Sequence, residues 1–355
     1  MRGAALPSSS YRTPSVTVLA GGAPLPGVMD VDILANAHLA ADRFRIRAAM
    51  TPTDATSLLP PGALLDLQFS LGGSPVSLLQ GEADSISIDP INMTVEIDGR
   101  DLTARFLDAR AQETFANQTA SEIATTLADR NSLTAMVTAT TTLAGRYYGS
   151  EHDRITLGQF ARSTTEWDLL TFLAAREGFE VFVIGQQLYF QPRSTQATPL
   201  LLTPGDCISL SLERSLTLAK GLHVTVKSWN TRNQAAITQS AQTQPSSGQT
   251  GSPQPIVVVR PNLSSDAALQ LAQRIATDLS GHERLVHAML PGDVTLTPRS
   301  PVTLIGTGTD FDQTYYIADL DRHYSADSGF TQRLLLKSDQ SAVSSGGDVS
   351  SGGST

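Results

Sequence analysis

The stretch Val95–Arg130 reads VEIDGRDLTARFLDARAQETFANQTASEIATTLADR, and its pattern changes part-way from that of a strand to that of a helix. Its first residues alternate apolar and acidic side chains, which predicts a strand, and Gly99 then indicates a turn or a bulge. Thr119 is followed three residues later by Glu122, the capping-box spacing that begins a helix. Ile123 opens an apolar repeat at helical spacing. A β-rich region therefore ends and a helix begins within this stretch, which we call the seam.

The residues before the seam predict short strands separated by turns. One run alternates Arg43, Arg45 and Arg47 with apolar residues, as in a half-buried strand. Further alternating runs occur at 65–69 and 85–89, with proline and glycine turns between them. Such regular short strands indicate a small barrel or sandwich. The arginines are interpreted as one exposed or interface face of a strand, because alternation alone requires polar residues there.

A helix followed by a hairpin is predicted after the seam. Ser163 and Glu166 form a second capping-box pair, and Gly178 stands where that helix would end. Trp167 is interpreted as the core anchor of this helix. The residues 179–191 then predict a β-hairpin around a glycine turn.

Strand patterns resume after residue 200 and predict a second β unit. The residues 233–255 interrupt it and are rich in Gln, Ser, Thr and Gly, which predicts a flexible excursion. A third helix is expected over 264–281, with Ser264 or Ser265 as its cap. The last residues, 339–355, are rich in Ser and Gly and are expected to stay outside any core.

Composition narrows the class of protein. The chain has 355 residues, which suggests two or three domains, and its net charge is −9 without any basic run. A protein that binds nucleic acid in a groove would need a basic patch, so this class is disfavoured. The single cysteine, Cys207, excludes an intrachain disulfide and is interpreted as a small buried residue. No signal peptide or membrane-length apolar run is found, and a soluble, unexported protein is expected.

No catalytic, cofactor-binding or metal-binding site is predicted. The sequence contains neither HExxH nor GxSxG, and the glycines at Gly306 and Gly308 lack the third glycine of a dinucleotide loop. One cysteine excludes a cysteine-type zinc site, and His282 and His287 are interpreted as surface residues. The chain is therefore expected not to be an enzyme and to need no cofactor.

Three separated blocks, 78–127, 166–192 and 290–336, resemble the late control D family of phage tails. That family is similar to the baseplate hub of contractile tails and to the N-terminal part of valine-glycine-repeat spike proteins. The residues that carry the resemblance are Gly99, Arg100, Asp101, Phe115, Thr119 and Ile123 at the seam, Trp167 and Gly178 in the helix–hairpin unit, and His323, Tyr324 and Phe330 near the end.

The resemblance implies a mostly β fold with α+β additions. Two related small β-barrel domains would be joined by the helix–hairpin unit. The expected domains are an N-terminal arm (1–14), a first barrel (15–112), a helix–hairpin α/β domain (113–195), a second barrel (196–338) that contains the excursion and the third helix, and a flexible tail (339–355).

The resemblance also implies a structural role in a virion tail baseplate, assembled in the host cytoplasm. Three copies would adapt a hexameric tail tube to a trimeric spike and leave a channel for DNA or another cargo. The expected partners are further copies of the chain, the tail tube protein or a distal tube initiator, a separate spike protein and other baseplate proteins. Alternatives are a tail-associated cell-wall hydrolase or a carbohydrate-binding β protein. A phage, a gene-transfer particle and an injection device all fit.

Overall fold

The structure is a computed structural model, and it describes residues 13–110, 115, 118–141, 143–144, 165–193, 198–230, 235–246, 251–261, 263–338 and 343–346. The arm predicted at residues 1–14 lies almost wholly outside them. The first elements are β1 (Ser15–Ala20), β2 (Ala23–Pro24), β3 (Val28–Asn36), β4 (Arg43–Ala49), α1 (Pro52–Leu58), β5 (Leu64–Ser70), β6 (Val76–Asp89), β7 (Thr94–Asp101) and α2 (Thr103–Asp108). The middle elements are β8 (Gln118–Thr119), α3 (Ala120–Arg130), β9 (Thr134–Val137), β10 (Leu143–Ala144), α4 (Glu166–Glu177), β11 (Phe179–Ile184) and β12 (Gln187–Pro192). The last elements are β13 (Leu200–Leu202), β14 (Ser209–Arg214), β15 (Leu222–Asn230), β16 (Ala235–Thr243), β17 (Gln254–Val259), α5 (Ser265–Ser280), β18 (Arg284–Pro291), β19 (Pro301–Leu304), β20 (Thr314–Ser325), β21 (Gly329–Ser338) and β22 (Val343–Gly346).

One 13-stranded sheet contains both predicted β units. Its order is β14-β18-β21-β20-β3-β4-β7-β6-β5-β1-β2, with β19 attached to β20 and β13 attached to β19. All of these pairs are antiparallel except β13–β19. The predicted fold class, mostly β with α+β additions, is confirmed. The two units are halves of one sheet, and each half has its own core.

The first half holds β3, β4, β7, β6, β5 and β1 around a single core. The alternation that predicted β4 is the cause: Phe44 and Ile46 point into this core, while Arg43, Arg45 and Arg47 are exposed. Further residues from β1, β3, β5, β6 and β7 fill the same core, so six strands share one apolar centre.

The second half holds β14, β18, β21, β20, β19 and β13 around another core. Its centre contains Tyr315 and Ile317 from β20, Leu334 from β21 and Val302 from β19, all fully buried. The hydroxyl of Tyr315 donates to the carbonyl of Phe311 at 2.9 Å, so this buried polar group is paired.

The two halves repeat the same arrangement of strands. In chain order β1, β3, β4, β5, β6 and β7 correspond to β13, β14, β18, β19, β20 and β21, and corresponding strands have corresponding neighbours. The two halves differ in the direction of one strand pair: β13 and β19 are parallel, whereas β1 and β5 are antiparallel. One irregularity also matches: β6 shifts register between Ala83 and Ser85, and β20 shifts between Ile317 and Asp319.

The helix–hairpin unit packs α3 and α4 on β9, β11 and β12 around a third core. Thr119 and Glu122 form the predicted capping box of α3. The predicted cap of α4 is wrong: its cap is Thr165, which forms a capping box with Asp168. This pair satisfies the same spacing rule two residues later than Ser163, which lies outside the described residues. Gly178 ends α4 in the left-handed conformation, at φ 70°.

A separate α/β layer is formed mainly by the residues between β14 and β18, and β22 near the end of the chain joins its sheet. Its sheet has the order β17-β15-β16-β22, and α5 packs on it through Ala268, Ala272 and Ala276. The predicted excursion at 233–255 is therefore wrong for 235–243, which form β16 and pair with β15 along their whole length. The helix is present as predicted, but it packs on this layer.

The predicted tail also contains an ordered element. Val343–Gly346 forms β22 and pairs with β16 over Ser240–Thr243, so a flexible tail over all of 339–355 is wrong. In the part of the chain that the structure describes, this short strand pairs with β16 on the edge opposite β15.

Candidate functional site

The two halves of the large sheet meet where β20 pairs with β3. The first residues of β20 pair with β19, and after the register shift Asp319–Ser325 pairs with Asp30–Asn36 of β3. We call this β3–β20 pairing the joint. A single strand thus belongs to both halves, and backbone hydrogen bonds fix their relative position.

Three of the predicted motif residues lie at the joint. The Nδ1 atom of His323 lies 2.6 Å from the Oδ1 atom of Asp32, its cross-strand neighbour. The rings of Tyr324 and Phe330 lie 6.2 Å and 4.9 Å from the ring of Phe69. Phe330 is only 7% exposed and belongs to the first core, although its strand belongs to the second half. The tip of the β20–β21 hairpin therefore closes the core of the other half.

The exposed face around the joint carries matched charges. Arg45 lies 2.8 Å from Asp98 and 3.2 Å from Glu96, and Arg47 lies 3.9 Å from Asp30. The hydrogen bond to Asp98, followed by the charges of Asp98 and Glu96, raises the pKa of Arg45. The arginine strand is exposed as predicted, and much of its positive charge is compensated by carboxylates on the adjacent strands.

A cleft of about 610 Å³ lies over this face, with residues of β3, β4, β7, β18, β20 and β21 around it. Its charged residues include Arg43, Arg45, Asp98, Asp321, His323 and Arg333. Both signs of charge are present, so the cleft is not a basic groove of the type that neutralises phosphates.

A buried polar cluster lies behind the joint and contains Asp101 of the GRD motif. Asp101 is 7% exposed, and it accepts hydrogen bonds from the backbone N and the Oγ1 of Thr103 at 3.2 and 2.9 Å. The backbone of Asp101 also donates to the carbonyl of Asp42 at 2.9 Å. Burial, and then the charge of Asp42, raises the pKa of Asp101 well above its ordinary value.

Asp42 connects this cluster to the end of β3. Its Oδ1 accepts from the backbone N of Asn36 at 2.9 Å and from the amide of Asn36 at 3.1 Å. Burial raises the pKa of Asp42 to about 6, against the lowering effects of the Asn36 hydrogen bond and of the charges of Arg299 and Arg322. Two carboxyl groups, one in the β3–β4 loop and one at the end of β7, therefore influence each other in this cluster.

The other two residues of the GRD motif shape strands β6 and β7. Gly99 lies inside β7 rather than at a turn, and a Cβ there would lie 2.3 Å from both the ring of Phe44 and the carbonyl of Glu82. The bulge predicted at Gly99 is on the partner strand, at Asp84. Arg100 holds that bulge with two hydrogen bonds to Asp84, at 2.6 and 2.7 Å.

The remaining motif residues build the helix–hairpin unit. Phe115, Ile123 and Trp167 lie in its core, with exposures of 6%, 0% and 3%. The indole N–H of Trp167 donates to the carbonyl of Leu39 at 3.0 Å, in the loop that joins β3 to β4. Trp167 therefore anchors its own unit and also attaches that unit to the joint.

The described residues contain no group of three or more His, Cys, Asp or Glu placed to hold a metal ion. Among them, no helix has the length and apolar character needed to cross a membrane. Cys207 is partly buried, and burial raises the pKa of its thiol, which keeps it in the unreactive form.

Comparison with sequence families gives one match. A family model described as the Alg8 N-terminal domain matches residues 47–325, well over half of the chain. The chain belongs to that family. No curated protein matches the chain by sequence. The family description has no counterpart among the similar structures named below, two of which are described as tail proteins.

Comparison with solved structures identifies the fold. The chain is similar to a tail protein from Neisseria meningitidis MC58, with a TM-score of 0.69, 16% identity, and coverage of 92% of this chain and 97% of that one. It is also similar to the 43 kDa tail protein of prophage MuSo2 from Shewanella oneidensis, with a TM-score of 0.70, 17% identity, and coverage of 91% and 98%. A third match is to a chain of the Francisella PdpA-VgrG complex, with a TM-score of 0.55, 12% identity, and coverage of 91% and 57%. The resemblance to tail and baseplate hub proteins is confirmed as a shared fold.

The sequence did not reveal several residues that shape the joint and the β6–β7 pair. Asp42, Asp84 and Arg299 belong to no sequence motif. Asp42 and Arg299 interact although they are far apart in the chain, and Asp84 lies at the β6 bulge. The ion pair between Asp84 and Arg100, which lie 16 positions apart, is the one contact of this set that the sequence could have suggested. The role of the eleven motif residues as a hub signature stays a prediction.

Proposed function

We propose that this protein is a structural hub of a phage or phage-like tail baseplate. Three copies form a ring that matches a hexameric tail tube on one side and a separate trimeric spike on the other. The observation that carries the proposal is the repetition of one six-strand arrangement within each chain. Three copies then present six similar units, which is the number that a hexameric tube requires. The fold shared with tail proteins supports the same conclusion.

The joint suits a ring that must keep its shape. The two halves are connected by a continuous strand and by seven paired residues between β3 and β20, so their angle is fixed by backbone hydrogen bonds. The hairpin tip with Phe330 inserted into the first core adds apolar contact. A rigid pair of units is what an adapter between two symmetries needs, because both of its faces must match partners of fixed geometry.

The exposed face of the joint suits a channel wall. Arg45 and Arg47 are paired with carboxylates there, and the chain as a whole carries a net charge of −9. Phosphates would therefore find few uncompensated cations there, and DNA or another cargo could pass without being retained. The proposed partners are further copies of the chain, the tube or its distal initiator, the spike and other baseplate proteins. The proposed location is the virion tail, with assembly in the host cytoplasm.

Native mass spectrometry of the purified chain, alone and mixed with the proteins encoded beside it, tests the proposal. We expect a species of three times the 37.7 kDa chain mass. A dimer, or a monomer that stays monomeric with every neighbour, would contradict the ring. A turbidity assay on purified peptidoglycan provides the second arm, and lysis abolished by a single carboxylate substitution would favour the cell-wall hydrolase instead.

A further inference from the structure

The outer strand β17 of the α/β layer has one unpaired edge. Within the described residues β17 pairs with β15 alone, and the two strands are parallel. The backbone N–H groups of Gln254 and Arg260 donate to carbonyls beside and within β15, at 2.9 and 3.0 Å. Because a strand has a period of two, the even-numbered residues between them also face β15. The N–H and C=O groups of the odd-numbered residues therefore point to the open edge, where an extended segment can pair.

Two prolines limit this edge to a short window. Pro255 and Pro261 occupy odd-numbered positions and have no N–H to offer. The N–H donors that face the open edge between them are those of Val257 and Val259. Prolines on an edge strand discourage long pairing with another sheet. The window at 256–260 therefore fits an extended segment of about five residues rather than a long strand.

The side chains beside this window are apolar and exposed. Val257 and Val259 are 59% and 69% exposed on the face opposite α5, whereas Ile256 and Val258 pack toward the core beneath that helix. Trp229 of β15 lies on the same open face and is 52% exposed. A segment paired with β17 would cover part of both exposed valines. Pairing would therefore bury apolar surface in addition to satisfying backbone groups.

The charge near this edge is positive and uncompensated. Lys227 is opposite Val259 across the β15–β17 pair and lies on the same open face, and Arg260 is exposed on the other face. In the part of the chain that the structure describes, neither cation pairs with a carboxylate, whereas Arg45 of β4 has two such partners. Strands β15, β16 and β17 contain no Asp or Glu at all. In a chain of net charge −9, this local pattern favours an acidic partner.

We propose that the open edge of β17 binds an extended acidic segment of another protein as an additional strand. The segment runs antiparallel to β17 and exchanges backbone hydrogen bonds with Val257 and Val259. Its residue opposite Val259 is acidic and reaches toward Lys227, about 10 Å away by two strand spacings. Its residue opposite Arg260 is also acidic, and its residue opposite Val257 is apolar.

The charges distinguish this occupant from a second copy of the chain. Pairing of β17 with the β17 of another copy would bring the cations at 227 and 260 toward their own counterparts, which is unfavourable. An acidic segment compensates both cations instead. The site lies in the α/β layer, outside the large sheet, so neither the proposal nor its test depends on the ring.

A defined peptide tests the chemistry of this partner. The probe is the end-capped peptide Ser-Asp-Glu-Thr-Val-Thr-Ser, which places its Glu opposite Val259 and its Val opposite Val257. The matched control peptide replaces that Glu with Lys. Millisecond hydrogen exchange of the full chain, resolved by residue, follows the N–H groups of Val257 and Val259. At about ten times its dissociation constant the acidic probe should slow their exchange about tenfold, and the lysine peptide at the same concentration should slow it less.

Three variants separate backbone pairing from side-chain contact. Val257→Pro removes a donor that faces the open edge while the bonds to β15 stay, so it should abolish probe binding with little change in melting temperature. Val257→Thr keeps both the donor and the β-branched shape, and it should still bind. Lys227→Glu should reverse the preference, so that the lysine peptide binds more tightly than the acidic probe. A purely structural role of Lys227 would not produce this reversal.

Four results would overturn the proposal. Equal slowing by the two peptides would show that charge does not select the partner. Unchanged exchange with the acidic probe at its highest soluble concentration would show that the edge does not accept such a segment. Slow exchange of Val259 before any peptide is added, made fast by removing residues 1–12 or 347–355, would assign the edge to a segment of this chain. Slow exchange that depends on protein concentration and is lost in the Val257→Pro variant would assign the edge to a second copy.

Discussion

The side chain of Trp167 offers a sharp test of how the helix–hairpin unit is held. Trp167 is 3% exposed, lies 6.1 Å from the ring of Phe106 between ring centres, and donates to the carbonyl of Leu39 at 3.0 Å. Replacing a buried tryptophan with alanine costs about 3–5 kcal/mol of unfolding free energy, because apolar contact is lost and a cavity remains. The lost hydrogen bond contributes to that cost, since a carbonyl left unpaired is destabilising by about 1–3 kcal/mol.

Two variants separate the packing of Trp167 from its hydrogen bond. Trp167→Ala should lose the full amount, and Trp167→Phe, which keeps an aromatic ring but no N–H, should lose about 1–3 kcal/mol. The matched control is Trp229→Ala, since Trp229 is 52% exposed and its removal should change the free energy by about 0.5 kcal/mol or less. Urea unfolding followed by far-ultraviolet circular dichroism measures all three. Equal losses at Trp167 and Trp229 would refute the assignment of Trp167 as a core anchor.

Three further predictions concern other parts of the chain. Asp42 has a folded pKa of about 6, above its ordinary value, so the folded state holds its proton more tightly and unfolding free energy should fall as pH rises from about 4 to 6. Asp42→Asn should weaken this slope and raise the melting temperature at pH 8; an unchanged slope would contradict it. Gly99→Ala should destabilise by about 1–3 kcal/mol, because its Cβ meets the ring of Phe44, whereas Gly73→Ala, with open space around it, should be near neutral in thermal melts. Deleting residues 341–355 should speed amide exchange along β16 by exposing its edge while leaving the melting temperature of the large sheet unchanged; unaltered exchange would show that β22 does not protect that edge.

Local patterns were sufficient for many single elements. Strands such as β4 were readable because the side-chain period of two is imposed by one buried face, and the cap of α3 was readable because its spacing is a local rule. The cap of α4 was misplaced by two residues because several hydroxyl and acidic residues near it satisfy the same spacing. Strand β16 was missed because most of its residues are polar. One of them, Gln239, is buried and donates a hydrogen bond to Ser265, and nothing local in the sequence indicates this contact.

The joint could not be predicted from local patterns. It pairs His323 with Asp32, residues 291 positions apart, and nothing near either residue indicates the other. The raised pKa of the Asp42 carboxyl could not be predicted either, because it depends on burial and on residues from other elements. The repeat of strand order between the halves was expected only from the resemblance, and it became evident only when the strand pairings were known.

The strand shared by both halves also bears on how the protein can diverge. Along one edge β20 is hydrogen-bonded first to β19 and then to β3. The tilt between the halves is therefore determined by backbone hydrogen bonds, which do not depend on the identity of the side chains. Side chains on the outer face can therefore be exchanged freely without altering that tilt. Natural variation can then change the electrostatic character of this surface while the angle between neighbouring modules stays constant. A similar three-dimensional arrangement at 16–17% identity is the result expected of such a framework.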